Sequence, residues 1–212
     1  MKTRILPLVA LAAASLFGCS QENHASPEFM GICANPAPSA TGCSYSATCE
    51  QYALFTYTYD PTVARELRVP IEMLNQLASN ADPSSGRLNT NDAVIQQWNF
   101  EYLFGGSVAL TAAESTNVVL PASTHKTAVV PVVPASLNTT MRTLAAGTSF
   151  VVNVRAAGRY ADERYFETGP FKVPARVDGF ATFTPPITCT APAFLVVCPQ
   201  GGQSGTYGCV TP

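Results

Sequence analysis

The chain has 212 residues, with 12 Lys and Arg against 14 Asp and Glu, a net charge of −2, and 47% hydrophobic against 12% charged residues. It contains no Lys/Arg run or basic stripe, which argues against a nucleic-acid partner, and no run past its first residues nears the ~18 apolar residues of a membrane helix. Abundant Gly, Pro, Ser, Thr, Ala and Val suit an extracytoplasmic all-β protein.

In chain order, Lys2 and Arg4 precede an apolar stretch from Ile5 to Ala14 and then small residues. This is the layout of a secretory signal peptide, too short to stay in a bilayer as a spanning helix. Leu16-Phe17-Gly18-Cys19 resembles the bacterial lipobox, whose cysteine is acylated and becomes N-terminal after cleavage. Leu16, Gly18 and Cys19 match their places; Phe17 departs from the small or branched residue usual there. The resemblance implies a signal peptide at 1–18, lipid attachment at Cys19 and a membrane anchor made of lipid alone. Ser20 in place of Asp implies, by the enterobacterial sorting pattern, the cell envelope and its outer membrane. Residues 19–31 have the polar composition of a flexible tether, and a coil of a dozen residues reaches roughly 20 Å. His24 falls in it, where nothing would orient an imidazole.

The following segments read as strands. In residues 50–59 Phe55, Tyr57 and Tyr59 alternate with Leu54, Thr56 and Thr58 up to the turn pair Asp60-Pro61. Residues 64–71 place Leu67, Val69 and Ile71 on one face, with Pro70 suggesting a sheet edge. Residues 79–92 form a polar, turn-rich loop. The clearest strand, residues 94–104, carries Val94, Trp98, Phe100, Tyr102 and Phe104 on one face, broken by Gln96, and ends at Gly105-Gly106. Three shorter strands follow at 108–112, 117–120 and 126–133, where Pro131 and Pro134 argue for edge pairing or an early end. A short helix is expected in 134–147, capped by Ser136, with Leu137, Met141 and Leu144 on one face and Gly147 as terminator. Residues 148–160 alternate Phe150, Val152, Val154 and Ala156. Across a turn, 164–177 keep Phe171, Val173 and Ala175 on one face after a bulge or kink at Gly169-Pro170.

Seven or eight such strands with one short helical link predict an antiparallel β-sandwich at 32–188, similar in architecture to immunoglobulin-like and fibronectin-like domains. The immunoglobulin pattern of Cys, Trp and Cys across the core is absent around Trp98. The stretches 86–102, 118–133 and 152–160, between terminal cysteines, also loosely resemble poorly characterised single-domain bacterial lipoproteins; this resemblance carries no active-site residues. Residues 189–212 read as a cysteine-pinned segment on the domain.

The chain has seven cysteines. With Cys19 assigned to lipid, Cys33, Cys43 and Cys49 cluster near one end and Cys189, Cys198 and Cys209 near the other. Their spacings fit no zinc, redox or haem pattern, and an oxidising compartment predicts structural disulfides. Six cysteines allow 15 connectivities. Because each cluster holds three, complete pairing requires at least one bridge between clusters. That bridge closes a loop of about 140 residues and contributes roughly 5 kcal/mol at most.

No catalytic residue or cofactor is predicted. His125, beside Ser123 and Thr124, reads as an exposed loop histidine, and no G-x-S-x-G elbow marks a nucleophile. Glu101 and the group Asp162, Glu163 and Glu167 read as solvent-facing charges rather than the facing pair of a glycosidase. Asp82, Asn89, Asn91 and Asp92 offer oxygen ligands in one loop but lack EF-hand spacing. The aromatics at 52–59 and 98–104 read as core before glycan platform, with Tyr59 and Tyr102 turning hydroxyls to solvent. The reading that results is a non-catalytic, lipid-anchored envelope protein contacting proteins or glycans. The alternatives are a hydrolase with a loop-built site, which a buried acid beside His125 in a deep polar pocket would favour, and a structural subunit of an envelope assembly, which an unpaired sheet edge would favour.

Overall fold

The computed structural model describes residues 26–33, 37–39, 42–44, 49, 52–53, 56–178, 189–191, 193–198 and 206–210. Its strands are β1 (Glu28–Cys33), β2 (Ala37–Ser39), β3 (Gly42–Ser44), β4 (Tyr52–Ala53), β5 (Tyr57–Tyr59), β6 (Glu66–Asn75), β7 (Ala93–Phe104), β8 (Ser107–Leu120), β9 (Thr124–Val133), β10 (Ser149–Tyr160), β11 (Tyr165–Glu167), β12 (Phe171–Val177), β13 (Phe194–Cys198) and β14 (Thr206–Val210). A single 3₁₀ turn, Ala135–Leu137, leads into the one-turn helix α1 (Asn138–Met141).

Two main sheets form a sandwich. One runs β5-β12-β10-β7-β8, with β11 also on β10; the other runs β14-β13-β6-β1-β4, with β9 also on β6. Strands β2 and β3 make a separate pair. Alternate residues of both sheets meet in the interior: Leu67, Val69, Ile71 and Met73 of β6 and Val130 and Val132 of β9 face Trp98, Phe100 and Tyr102 of β7 and Phe150, Val152 and Val154 of β10. All are fully buried or nearly so. This is the period-two pattern expected of strands with one face in a core. Most pairings are antiparallel, but β5 joins β12 and β13 joins β6 in parallel, so the expected all-antiparallel pairing does not hold throughout.

Strand β7 carries a correction to the reading of its faces. Ile95, not Val94, is buried beside Trp98, three positions away. Between Ile95 and Gln97 the pairing to β10 advances by one residue while β7 advances by two, so Gln96 is the extra residue of a β-bulge. The bulge reverses which residues face inward. It also brings the two backbones close, because a Cβ on Gly158 would lie 2.0 Å from the Val94 carbonyl oxygen. Gly158→Ala is therefore expected to cost about 2–3 kcal/mol, as an overpacked site does; the check is the midpoint of urea unfolding at unchanged slope.

Other differences are local. The strands expected at 108–112 and 117–120 are one 14-residue strand, β8. Strand β6 continues past Pro70 and is central, not an edge: β9 pairs one flank, while the other passes from β13 at Glu66–Leu67 to β1 at Ile71–Leu74. Pro70 sits at that handover, where neither neighbour pairs with it. Pro131 does lie on a sheet edge, in β9. Ser136 does not cap the helix; its hydroxyl donates to Glu114 Oε1 at 3.0 Å. The helix ends at Met141 with Arg142 as its C-cap, not at Gly147 as expected; Gly147, with a φ of +87°, donates its N–H to the Val177 carbonyl just before β10. Residues 28–31, read as the end of the tether, belong to β1, where Phe29 packs its ring against those of Trp98 and Phe171.

Tyr59 and Tyr102 do not show their hydroxyls to solvent. Both side chains are fully buried. Tyr102 Oη donates to the Val132 carbonyl at 2.9 Å, a bond between the two sheets. Tyr59 Oη accepts from Asn138 Nδ2 at 2.7 Å and donates to the Arg65 carbonyl at 3.3 Å. Asn138 Nδ2 also reaches the carbonyls of Pro61 and Ala64, so α1 fastens one end of the sandwich. A second buried network fastens the opposite end of β6. Ser26 Oγ donates to Asn75 Oδ1, Asn75 Nδ2 donates to the Asn91 and Leu120 carbonyls, and Tyr160 Oη donates to the Ser26 carbonyl. Each network pairs polar groups that would be costly to bury alone.

Candidate functional site

The polar cluster with most chemical potential lies on the outer face of the β6 sheet. Strand β6 alternates, so with Ile71 and Met73 facing the core, Glu72 faces away from it. Glu72 is nevertheless 3% exposed, with Cys49 and Tyr52 of β4 lying against its carboxylate. Its carboxylate accepts the Cys49 backbone N–H at 3.3 Å and the Tyr52 hydroxyl, and lies 3.7 Å from His125 Nδ1. His125 reaches it from β9, where it is a strand residue, not a loop histidine as expected. The hydrogen bond to Glu72 raises the Tyr52 phenol above its ordinary range, by holding the proton against a carboxylate.

A carboxylate beside Nδ1 is the arrangement that orients an imidazole for general-base work. Such a base needs a hydroxyl to activate, and the nearby hydroxyls are spent elsewhere. Ser123 Oγ donates to the Leu77 carbonyl, Thr124 Oγ1 to the Pro121 carbonyl, and Thr127 Oγ1 to Cys33 Sγ, which as a disulfide sulfur has no hydrogen to give. Glu72 thus works as a latch: one buried carboxylate ties Tyr52 of β4 and the backbone at Cys49 to the sheet. Glu72→Ala leaves the Tyr52 hydroxyl and Cys49 N–H without their acceptor and is expected to cost about 1–3 kcal/mol. Hydrogen exchange should quicken at Cys49 and Tyr52 while the core strands keep their protection.

The other anticipated carboxylates stay apart. Glu101 pairs across strands with Asn153, whose Nδ2 donates to it at 3.1 Å. Asp162 lies beyond the far end of β10 and bonds Arg164 at 2.6 Å. Seven residues of strand separate Asn153 from Tyr160, about 23 Å, against the 5–9.5 Å a glycosidase pair requires. Glu163 forms the turn with a φ of +67°, and Glu167 is exposed on β11. In the 79–92 loop the oxygens turn toward the chain's own donors. Asp82 accepts from Ser84 and Ser85, whose hydroxyls hold its carboxyl below the usual range. Asn89 Oδ1 accepts from the Asn80 and Asn91 N–H groups, and Asp92 Oδ1 from the Ala122 N–H at 2.8 Å. Among the described residues no three His, Cys, Asp or Glu side chains converge as a metal site. An open cleft of about 450 Å³ lies over Leu103, Val151 and Pro174 with Lys172 at its rim, away from His125.

The cysteines are brought together only in part within the described residues. Cys33 and Cys49 are bonded to each other, and Cys189 is also disulfide-bonded. The backbone of β3, which contains Cys43, lies against β14, which contains Cys209. The pairing of Cys43, Cys198 and Cys209, and the lipid site Cys19 with His24, lie outside the described residues. No helix among the described residues is long and apolar enough to cross a membrane.

Compared with protein-family models, with curated proteins and with solved structures, the chain matches none.

Sequence reasoning missed Glu72 and Tyr52. The signal was there in Glu72-Met73-Leu74-Asn75, which extends the alternation of β6 beyond residue 71, where the expected strand stops.

The last feature is an edge. Strand β8 pairs with β7 on one flank, and among the described residues no strand pairs its other flank. Of its 14 residues, 13 are exposed or half-exposed.

Proposed function

We propose that this chain is a non-catalytic cell-envelope protein, exported and held to the outer membrane by lipid on Cys19, that works by protein contact along a sheet edge. The open flank of β8, the sign expected of a subunit of an envelope assembly, carries this reading, since an unpaired edge is a template for another strand. The burial of Tyr57, Tyr59, Trp98, Phe100 and Tyr102 favours a protein partner over a glycan, because none of these rings is free to stack on a sugar. Two measurements test it. Intact mass of the exported protein should show a chain beginning at Cys19 with added acyl mass; a chain without acyl mass overturns the anchor. A photo-crosslinker placed at Thr111 should join the chain to a discrete protein in intact cells while one at Lys172 does not; equal or absent products from both overturn the edge.

A second reading, a hydrolase, has support in the contact between His125 and Glu72. Turnover of ester, amide or glycoside substrates that His125→Ala abolishes, with folding intact, would establish it in place of the first.

A further inference from the structure

We infer that β8 is a self-pairing edge, through which two copies of the chain join their sheets about a two-fold axis at Ala113. The inference rests on the reading above and names the partner as a second copy.

Both ends of β8 are guarded. Beyond Leu110 the pairing with β7 skips Ala109, and beyond Ser115 it sets Thr116 and Asn117 against the single residue Gln96. Such bulges twist an edge away from incoming strands. The Lys126 ammonium also donates to the Val119 carbonyl at 2.8 Å. Between these guards, Leu110–Ser115 pair with Tyr102–Gln97 in unbroken register, and this run contains neither proline nor a cation. The neighbouring edge β9 is treated differently, with Pro131 and Lys126 within it, and the edge strand β5 is only three residues long.

The occupant follows from the symmetry of the open run. A two-fold axis normal to the sheet pairs residues of like facing in antiparallel order. Centred on Ala113, it sets Thr111 opposite Ser115 of the second copy, Ala112 opposite Glu114, and Ala109 opposite Asn117. The bulges at the two ends then meet each other, and the regular runs meet along their length. Glu114, the one charge of β8, faces an alanine and not its own copy, which an axis at Glu114 would impose. On the outer face the pairs are small, so no large side chain holds the backbones apart. Each main path of five strands would continue into the other, making a sheet of ten.

The test uses the full exported chain in detergent. Sedimentation velocity should show a dimer, and Thr111→Lys with Ser115→Lys, which sets ammonium groups opposite each other, should weaken it at least about tenfold. Ala113→Cys should give a reducible covalent dimer, mapped by peptide mass to a 113–113 link; Gln97→Cys, one strand further in, should not. Circular dichroism melting of each variant excludes loss of folding as the cause. A monomer at about 100 µM, a concentration at which even a weak specific contact is populated, overturns the inference; so does a dimer indifferent to the lysines, or an absent 113–113 link. If the chain is monomeric yet the Thr111 photo-crosslink captures a different protein, self-pairing fails and the edge reading stands. If both fail, both readings fall.

Discussion

Trp98→Ala is expected to lower the free energy of unfolding by about 3–5 kcal/mol, the range for deleting a fully buried large aromatic side chain. Trp98 is 1% exposed and lies mid-strand in β7, between Ala156 of β10 and Glu114 of β8. Its indole faces Phe29 of the opposite sheet at a centroid distance of 6.5 Å, and Phe29 in turn meets Phe171 at 5.2 Å. Truncation therefore opens a cavity at the interface of the layers and removes part of the seat of β1. Because Trp98 is the chain's single tryptophan, the transition should be followed by circular dichroism in urea. Trp98→Phe, which retains a ring against Phe29, should lose well under half as much. A loss below about 1 kcal/mol in the alanine variant would contradict the packing described for this site.

Alkaline conditions should unfold the protein steeply. Burial raises the phenols of Tyr57, Tyr59 and Tyr102 well above their ordinary value of 10, and at Tyr59 the bond from Asn138 offsets only part of that. In the unfolded chain the same phenols ionise near pH 10. Below pH 10 both states carry the proton and stability does not change through these groups. Above it the unfolded state loses protons that the folded state keeps, so stability falls by about 1.4 kcal/mol per pH unit for each tyrosine, roughly 4 for the three. Stopped-flow absorbance near 295 nm should show Tyr57, Tyr59 and Tyr102 ionising only as the sandwich opens. Tyr102→Phe should flatten the dependence by about one third. Immediate ionisation of all tyrosines with the fold intact would contradict their burial.

The strands of 94–104, 148–160 and 171–177 were legible because period-two alternation is written into neighbouring residues. The facing of Val94 and Ile95 was not, since it depends on the bulge at Gln96, and that bulge is defined by partners some sixty residues along in β10. Strand β8 looked like two short strands because Glu114, Ser115, Thr116 and Asn117 interrupt its apolar run. An edge strand with half its inward face open tolerates that interruption, as the half-exposed Glu114 shows. Of the candidate site, His125 was visible and its partner was not, because Glu72 comes from a neighbouring strand and its burial depends on contacts with Cys49 and Tyr52.

Residue order alone settles the all-β character of this chain, the inward stripes of β6 and β10 and the two clusters of cysteine, since each depends on local spacing or residue type. The fate of its polar groups belongs to the folded arrangement. Whether Tyr102 turns to water or to the Val132 carbonyl, whether Glu72 is a surface charge or a buried latch, and whether β8 is covered or open all depend on which distant strand lies alongside. Burial and hydrogen bonding are properties of neighbours in space, and in a sandwich most of those neighbours are far away along the chain.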